Sequence, residues 1–345
     1  MSDLSKKRFV CFGEIMLRLN PEGFLRIKQA PSFMASYAGG EANVAVSLAN
    51  FGMDAAFVTR LPENDVAEGA LRSLRANKVD VSQITFGGER LGVYFLEKGA
   101  SQRPSKVIYD RKHSAIAEAK REHFDWDAIF NGAGWFHFTG ITPALGGALP
   151  EICMDAVSAA RDKGLKVSCD LNYRKNLWAP EKAREVMGKL LEKTDLCIAN
   201  EEDAEKVLGI MPDGNDVDRG ELNRDGYVGV ARKIQSGYGC EAVAITLRQS
   251  RSADDNGWSG MLYSGERAYF SKTYEIHIVD RVGGGDSFGG ALIYALANRF
   301  DPQKAIEFAA AASCLKHTVE YDFNQATLKE VTDLMEGGGS GRVQR

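Results

Sequence analysis

No run of apolar residues in this sequence is long enough to cross a bilayer, and the opening segment, Met1 to Arg8, lacks the apolar core of a secretion signal. Both absences lead us to expect a cytoplasmic protein with no membrane partner. The six cysteines (Cys11, Cys153, Cys169, Cys197, Cys240, Cys314) form no CxxC pair and no Cys/His cluster of zinc spacing. That excludes a zinc module and predicts buried free thiols in a reducing compartment. Charge of one sign is also scarce: 43 basic against 47 acidic residues leave a net charge of −4, and no long basic run exists. A nucleic-acid partner is therefore not expected. The five histidines are dispersed, and none stands beside an obvious nucleophile. A GxxxxGK[ST] loop is missing, as is the glycine-rich loop and HRD/DFG set of protein kinases, so neither phosphate-binding scheme applies. No GxGxxG follows the first apolar run, which argues against a nicotinamide dehydrogenase.

What is present is the texture of a globular α/β chain: 345 residues, 44% hydrophobic and 26% charged. Apolar strand-like runs (9–19, interrupted by Gly13-Glu14, then 55–59, 135–138, 166–171, 196–199 and 242–246) alternate with helical periodicity (41–51, 65–77, 145–163, 180–192 and 228–236). Such alternation marks a mostly parallel central sheet with crossover helices, built as one domain over 1–345. Residues 258–279 resemble antiparallel strands, and three helices are expected at about 286–299, 302–317 and 325–335. The texture changes between 87 and 112, where two extended segments, 91–97 and 106–111, have no helix between them. A hairpin fits better than a crossover there. With part of residues 14–38 it predicts a small β-sheet projecting over the site as a lid. The glycine-rich tail, 337–345, is expected to be disordered.

The strongest local signal is Asp280-Arg-Val-Gly283-Gly284-Gly285-Asp286, followed by Phe288, Ala291, Leu292, Ala295 and Leu296 on one helical face. The glycines thus stand at the mouth of a buried helix, where unpaired N–H groups and the dipole favour a phosphate. Asp286 in that place is either an N-cap on a glycine turn or the base of a phosphoryl transfer, with residues 283–286 as its anion hole.

This segment resembles the C-terminal signature of the ribokinase (pfkB-type) family of carbohydrate kinases. Gly39, Gly40 and Asn43 are similar to the family's N-terminal signature, a glycine pair followed by an asparagine on a helix. The resemblance covers roughly residues 8–335. It implies a ribokinase-like fold, ATP and Mg²⁺ as cofactors, a monovalent cation near Asp280, and a sugar or polyol acceptor. Within the family the chain looks most like the 2-keto-3-deoxygluconate kinases, on Gly13-Glu-Ile-Met-Leu-Arg-Leu19, Tyr94, Tyr109-Asp-Arg111 and Asn172-Tyr173-Arg174. Many members have an aspartate where this chain has Arg18, a change consistent with an acidic acceptor. Tyr109 and Arg111 share one face of a strand. Arg174 follows the end of the 166–171 strand, where open α/β sheets bind ligands. Each arginine alone is most simply a surface salt bridge; together, beside tyrosines, they suit a sugar acid. The substrate set is then Gly39, Gly40, Asn43, Tyr94, Tyr109, Arg111, Arg174 and Asp286.

On the nucleotide side, Asn200-Glu-Glu-Asp203 resembles the family's Asn-x-x-Glu element, which supports Mg²⁺ through water; it reads equally as an acidic helix start. Asp203 is one methylene shorter than the family's residue. Thr246 and Arg248 match a Thr-Leu-Gly turn that meets the phosphates, with Arg248 in place of glycine and able to neutralise phosphate charge. Asn324, with residues 312–317, falls where the family lines its adenine pocket, or else caps the last helix. The expected activity is ATP-dependent phosphorylation of 2-keto-3-deoxygluconate at its C6 hydroxyl. A neutral-sugar kinase such as a fructokinase, and a non-catalytic sugar or nucleotide sensor on the same fold, are the alternatives. Lids often contribute to dimer contacts in the family this chain resembles, so the resemblance also implies a homo-oligomer.

Overall fold

The structure, a computed structural model, describes residues 3–211 and 224–338. Of the tail from 337, all but the first two residues lie outside them. The first half of the chain runs β1 (Arg8–Phe12), β2 (Met16–Asn20), β3 (Met34–Ala38), α1 (Gly40–Asn50), β4 (Ala55–Val58), β5 (Arg60–Leu61), α2 (Asp65–Ala76), β6 (Thr85–Phe86), β7 (Gly92–Glu97), β8 (Lys106–Asp110), α3 (Trp126–Ile129), β9 (Ala133–Thr139), α4 (Ile141–Ala144) and α5 (Leu149–Asp162). The second half runs β10 (Lys166–Asp170), α6 (Pro180–Leu191), β11 (Leu196–Ala199), α7 (Glu201–Asp203), α8 (Arg224–Tyr238), β12 (Ala242–Ser250), β13 (Asp255–Ser264), β14 (Arg267–Phe270), β15 (Tyr274–His277), α9 (Gly284–Ala297), α10 (Pro302–Lys316) and α11 (Leu328–Met335).

The large sheet has the order β14-β13-β12-β11-β10-β9-β1-β4, with β15 beside β13. Its strands from β4 to β12 are parallel; β13 to β15 add an antiparallel edge. The parallel strands read as unbroken apolar runs because both faces are buried. In β1, Phe9 and Cys11 enter the core beneath α1, α9 and α10, while Val10 and Phe12 enter the one beneath α5 and α6. Phe136 is 1% exposed within an aromatic group with Trp126, Phe130 and Phe138. Its truncation to alanine should cost about 3–5 kcal/mol.

Strand order reverses between β1 and β9, so the loops leaving their C-terminal ends diverge and open a crevice. Glu41, in the first turn of α1, fixes one wall of that crevice. Its buried carboxylate accepts from the Thr139 backbone N–H (3.1 Å) and from the hydroxyls of Thr139 (2.7 Å) and Thr142 (2.6 Å). These bonds hold Gly39 and Gly40 over the end of β9.

The small sheet has the order β3-β2-β7-β8 and is built from the two predicted segments. Arg18 pairs in register with Tyr94, and Tyr94 with Tyr109, so the three share a face.

The run 9–19, interrupted at Gly13-Glu14, forms β1 and β2, which belong to different sheets. One expectation needs correction. The helix expected from 145 begins at Leu149, because Gly146 and Gly147 take positive φ (87° and 58°) after α4. Thr246 and Arg248 stand on β12, in its antiparallel ladder with β13. All six cysteines are free and buried. Among the described residues no helix is long and apolar enough to cross a membrane.

Candidate active site

The helix α9 starts on Gly283, whose φ of +84° lies in the left-handed region. A Cβ there would come within 2.0 Å of the Asp322 carbonyl oxygen, so sterics as well as φ require glycine. Gly283 is the N-cap and supplies no side-chain bond. Asp286 is therefore not the cap: its carboxylate accepts from Asn43 Nδ2 at 2.6 Å. Asn43 Oδ1 in turn accepts from the Gly39 N–H at 3.3 Å. The two glycine signatures thus meet through one asparagine. Burial pushes the Asp286 carboxyl up to about 6, with the Asn43 bond working the other way and Asp322 adding to the rise.

Two cavities meet at Asp286. One, of about 510 Å³, is lined by Asp170, Asn200, Asp203, Thr246, Arg248, Arg281, Gly283 and Gly285 among others. The other, of about 70 Å³, lies under the small sheet and is lined by Glu14, Gly39, Gly40, Asn43, Tyr94, Tyr109, Arg111 and Asp322 among others. Asn172, Arg174, Val282 and Asp286 line both. Every substrate-side residue expected from the sequence is thus brought to one place.

Their partners were not foreseen. Arg111 donates from Nε (2.7 Å) and from Nη2 to Glu14 Oε2, and the Ser114 hydroxyl donates to Glu14 Oε1 (2.6 Å). Arg111 is therefore a buried ion pair with one amino group left toward the cavity, not an arginine wholly given to a ligand. Tyr94 donates its hydroxyl to Asp322 (2.8 Å). Tyr109, 41% exposed, leans on Tyr94. Arg174 donates only to its own neighbour's carbonyl, Tyr173 O, at 3.0 Å, and makes no ion pair with the described residues.

On the other side, Asp203 accepts from the backbone N–H groups of Tyr173 (2.8 Å) and Asn200 (3.3 Å), and Asn200 Oδ1 caps α7 by accepting from Asp203 N (2.9 Å). Burial raises the Asp203 carboxyl to about 6. Arg248 lies over the Trp258 ring at 5.1 Å. Two residues went unrecognised. Asp170 ends β10 against Asp203 and Asp286, and burial first, then those neighbours, raises its carboxyl. Arg281 donates to Ala253 O at 2.9 Å; its place inside the glycine motif was the available signal. Asn324 lines neither cavity: its Oδ1 accepts from Ala326 N, and Thr327 caps α11. His317, also expected near the nucleotide, is buried against Trp258. Gly284 belongs to the helix mouth but lines neither cavity.

A helix mouth, a poised carboxylate and a polar cavity on each side can transfer a charged group between two ligands. The chain matches the pfkB family carbohydrate kinases over residues 6–324. It is 32% identical to the 2-dehydro-3-deoxygalactonokinase of Haloferax volcanii, over 96% of this chain and 98% of that protein. The crystal structure of 2-dehydro-3-deoxygluconokinase from Thermotoga maritima superposes with a TM-score of 0.93 at 54% identity, covering 96% of this chain and 99% of that one. A more distant fold neighbour from Escherichia coli, provisionally called ribokinase II, is solved with ATP and Mg²⁺ (TM-score 0.78, 20% identity, 96% and 99% covered). With both glycine signatures closing on one carboxylate and the likeness running the length of the chain, this protein belongs to the pfkB family of carbohydrate kinases.

Proposed function

We propose that the chain transfers the γ-phosphoryl group of ATP to the primary C6 hydroxyl of 2-keto-3-deoxygluconate, as a single ribokinase-like domain whose small sheet is the lid. The observation that carries this is Asp286, oriented by Asn43 and not spent as a cap, between a cavity of sugar-binding character and one of phosphate-binding character. The name of the 54% identical Thermotoga maritima structure supports the acceptor. The name of the Haloferax volcanii relative makes the C4 epimer, 2-keto-3-deoxygalactonate, a second acceptor to examine.

In this scheme Asp286 accepts the hydroxyl proton as the new O–P bond forms and the bond to the ADP oxygen breaks. The N–H groups at 283–286 face the charge on the moving phosphoryl group. Arg248 and Arg281 neutralise phosphate charge from the side of β12. Asp203 and Asp170, with Asn200 beside them, fit a metal held through water: among the described residues no three ligating side chains cluster tightly enough to hold an ion directly. Mg²⁺ bound there would neutralise the phosphate oxygens. Arg174 and the remaining amino group of Arg111 receive the acceptor's carboxylate, and Tyr109 its hydroxyls. The small sheet covers the sugar cavity, so its outward movement would admit the acceptor and its closure would exclude water. Phe24, Met34 and Ile108, exposed on the lid (61%, 51% and 41%), support a second copy as partner. The six buried thiols fit a cytoplasmic setting.

The test is ATP consumption over a panel of sugar acids and neutral sugars. Turnover confined to 2-keto-3-deoxy acids is expected; turnover of fructose or ribose alone, or no turnover with any acceptor, contradicts the proposal.

A further inference from the structure

A buried charge cluster lies directly behind the anion hole. Arg18, on the lid strand β2, is 0% exposed. Its Nη2 donates to Asp280 Oδ2 (2.5 Å) and its Nη1 to Asp322 Oδ1 (2.6 Å). The other oxygen of Asp280 accepts from the Val282 N–H (3.2 Å), and Oδ2 accepts also from the Tyr321 N–H (3.2 Å). The main-chain carbonyl of Asp280 accepts from the ammonium of Lys316 (3.2 Å), a second cation with 0% exposure. The second oxygen of Asp322 takes the Tyr94 hydroxyl from lid strand β7, and the Asp322 carbonyl is the atom that packs against Gly283.

Carboxylate and carbonyl oxygens are the ligands a hard cation would need. Here those of Asp280 are already occupied by guanidinium, ammonium and amide donors. Two carboxylates, Asp280 and Asp322, already face two buried cations, Arg18 and Lys316. A further ion at Asp280 would have to displace one of these bonded donors and leave it buried without its partner. The monovalent cation expected near Asp280 does not fit this donor set.

We infer that Arg18 is the built-in cation of the anion hole: it holds the 280–283 loop in its phosphate-binding form and ties that loop to the lid, with no alkali ion required. Arg18 lines neither cavity, so it acts as a positioning residue. Because the same guanidinium bridges the lid and the loop, closure of the lid and assembly of the anion hole are one event. This rests on the kinase function proposed above, and its test is arranged so that the two can fail separately.

The full-length protein is assayed with Mg²⁺, ATP and 2-keto-3-deoxygluconate in tetramethylammonium buffer, with K⁺ or Na⁺ added, and its melting temperature is recorded in the same solutions. We expect kcat to stay within about twofold across the series and the melting temperature not to depend on which cation is present. A rise in kcat of about tenfold or more with K⁺, or a K⁺-specific rise in melting temperature, overturns the inference. Arg18→Met should lower kcat by about 10²-fold while KM for ATP moves less than about threefold, because the loop acts on charge developing in the transition state. Arg18→Lys should recover part of that rate. A folded Arg18→Met with wild-type kcat, or a lysine variant as slow as the methionine one, also overturns it. Should the methionine variant not fold, the alkali-ion series on the wild type decides alone. A wild type inactive on every sugar acid contradicts the proposed function instead, and the melting series still tests the cation.

Discussion

The two sides of Asp286 are built differently. On the sugar side polar groups are already paired with one another: Arg111 with Glu14 and Ser114, Asn43 with Asp286, Tyr94 with Asp322. On the nucleotide side Arg281 donates to a loop carbonyl and Arg248 lies over an indole face. Asp203 there accepts from backbone N–H groups. Pre-paired groups in a small space select one ligand shape, since a wrong ligand leaves buried partners unsatisfied. Three arginines, Arg174, Arg248 and Arg281, around a large opening attract any polyphosphate. Acceptor specificity should therefore be sharp and nucleotide specificity broad.

The largest way to break this contrast is at Arg174, which lines both cavities and makes no ion pair with the described residues. Arg174→Ala should lower kcat/KM by about 10²-fold, the worth of a charged hydrogen bond lost from a ligand, and should raise KM for the sugar acid in steady-state assays. A change confined to KM for ATP would assign Arg174 to the nucleotide side only. Next is pH. Burial holds Asp286 at about 6, so the base is ionised above that value and protonated below it. In a pH profile, kcat/KM should fall about tenfold for each unit below that point.

A smaller effect is expected at Arg281. Arg281→Ala should raise KM for ATP about fivefold and leave KM for the acceptor unchanged, as for a solvent-accessible phosphate contact. If the acceptor's KM moved instead, the division into two sides would be wrong. The smallest effect is on stability. A carboxyl raised in the folded state binds its proton more tightly than the unfolded chain does, so stability falls as pH rises from about 4 to about 6, and the full cost persists above. Asp286→Asn removes that cost, and its melting temperature should exceed the wild type's at pH well above 6, but not in acid near the unfolded value.

Much of this was legible in the chain. Three glycines before an aspartate and an apolar helical face announce a phosphate site at a helix mouth. Two extended segments with no helix between them announce the hairpin of the small sheet. Strand spacing put Tyr109 and Arg111 on one face, but it could not say which carboxylate meets Arg111. Glu14 lies 97 residues earlier, and the two are joined only by the pairing of β2 with β7 and of β7 with β8. Arg18 reaches Asp280 and Asp322 across 262 and 304 residues, a contact that no local pattern encodes. Asn324 has several possible uses near a helix start, and here its side-chain oxygen accepts from Ala326 N, the local role the sequence also offered. Asp170 was hidden as the polar end of an apolar strand, although the C-terminal ends of parallel strands are where such residues matter.

The central claim is that Asp286 is the base serving both cavities. Its most direct test is turnover of Asp286→Asn with ATP, Mg²⁺ and 2-keto-3-deoxygluconate, alongside calorimetric binding of the acid. Turnover should fall by about 10³-fold while affinity for the acid changes little. A variant that keeps wild-type turnover, or one whose loss is explained by lost binding of the acid, would contradict the account.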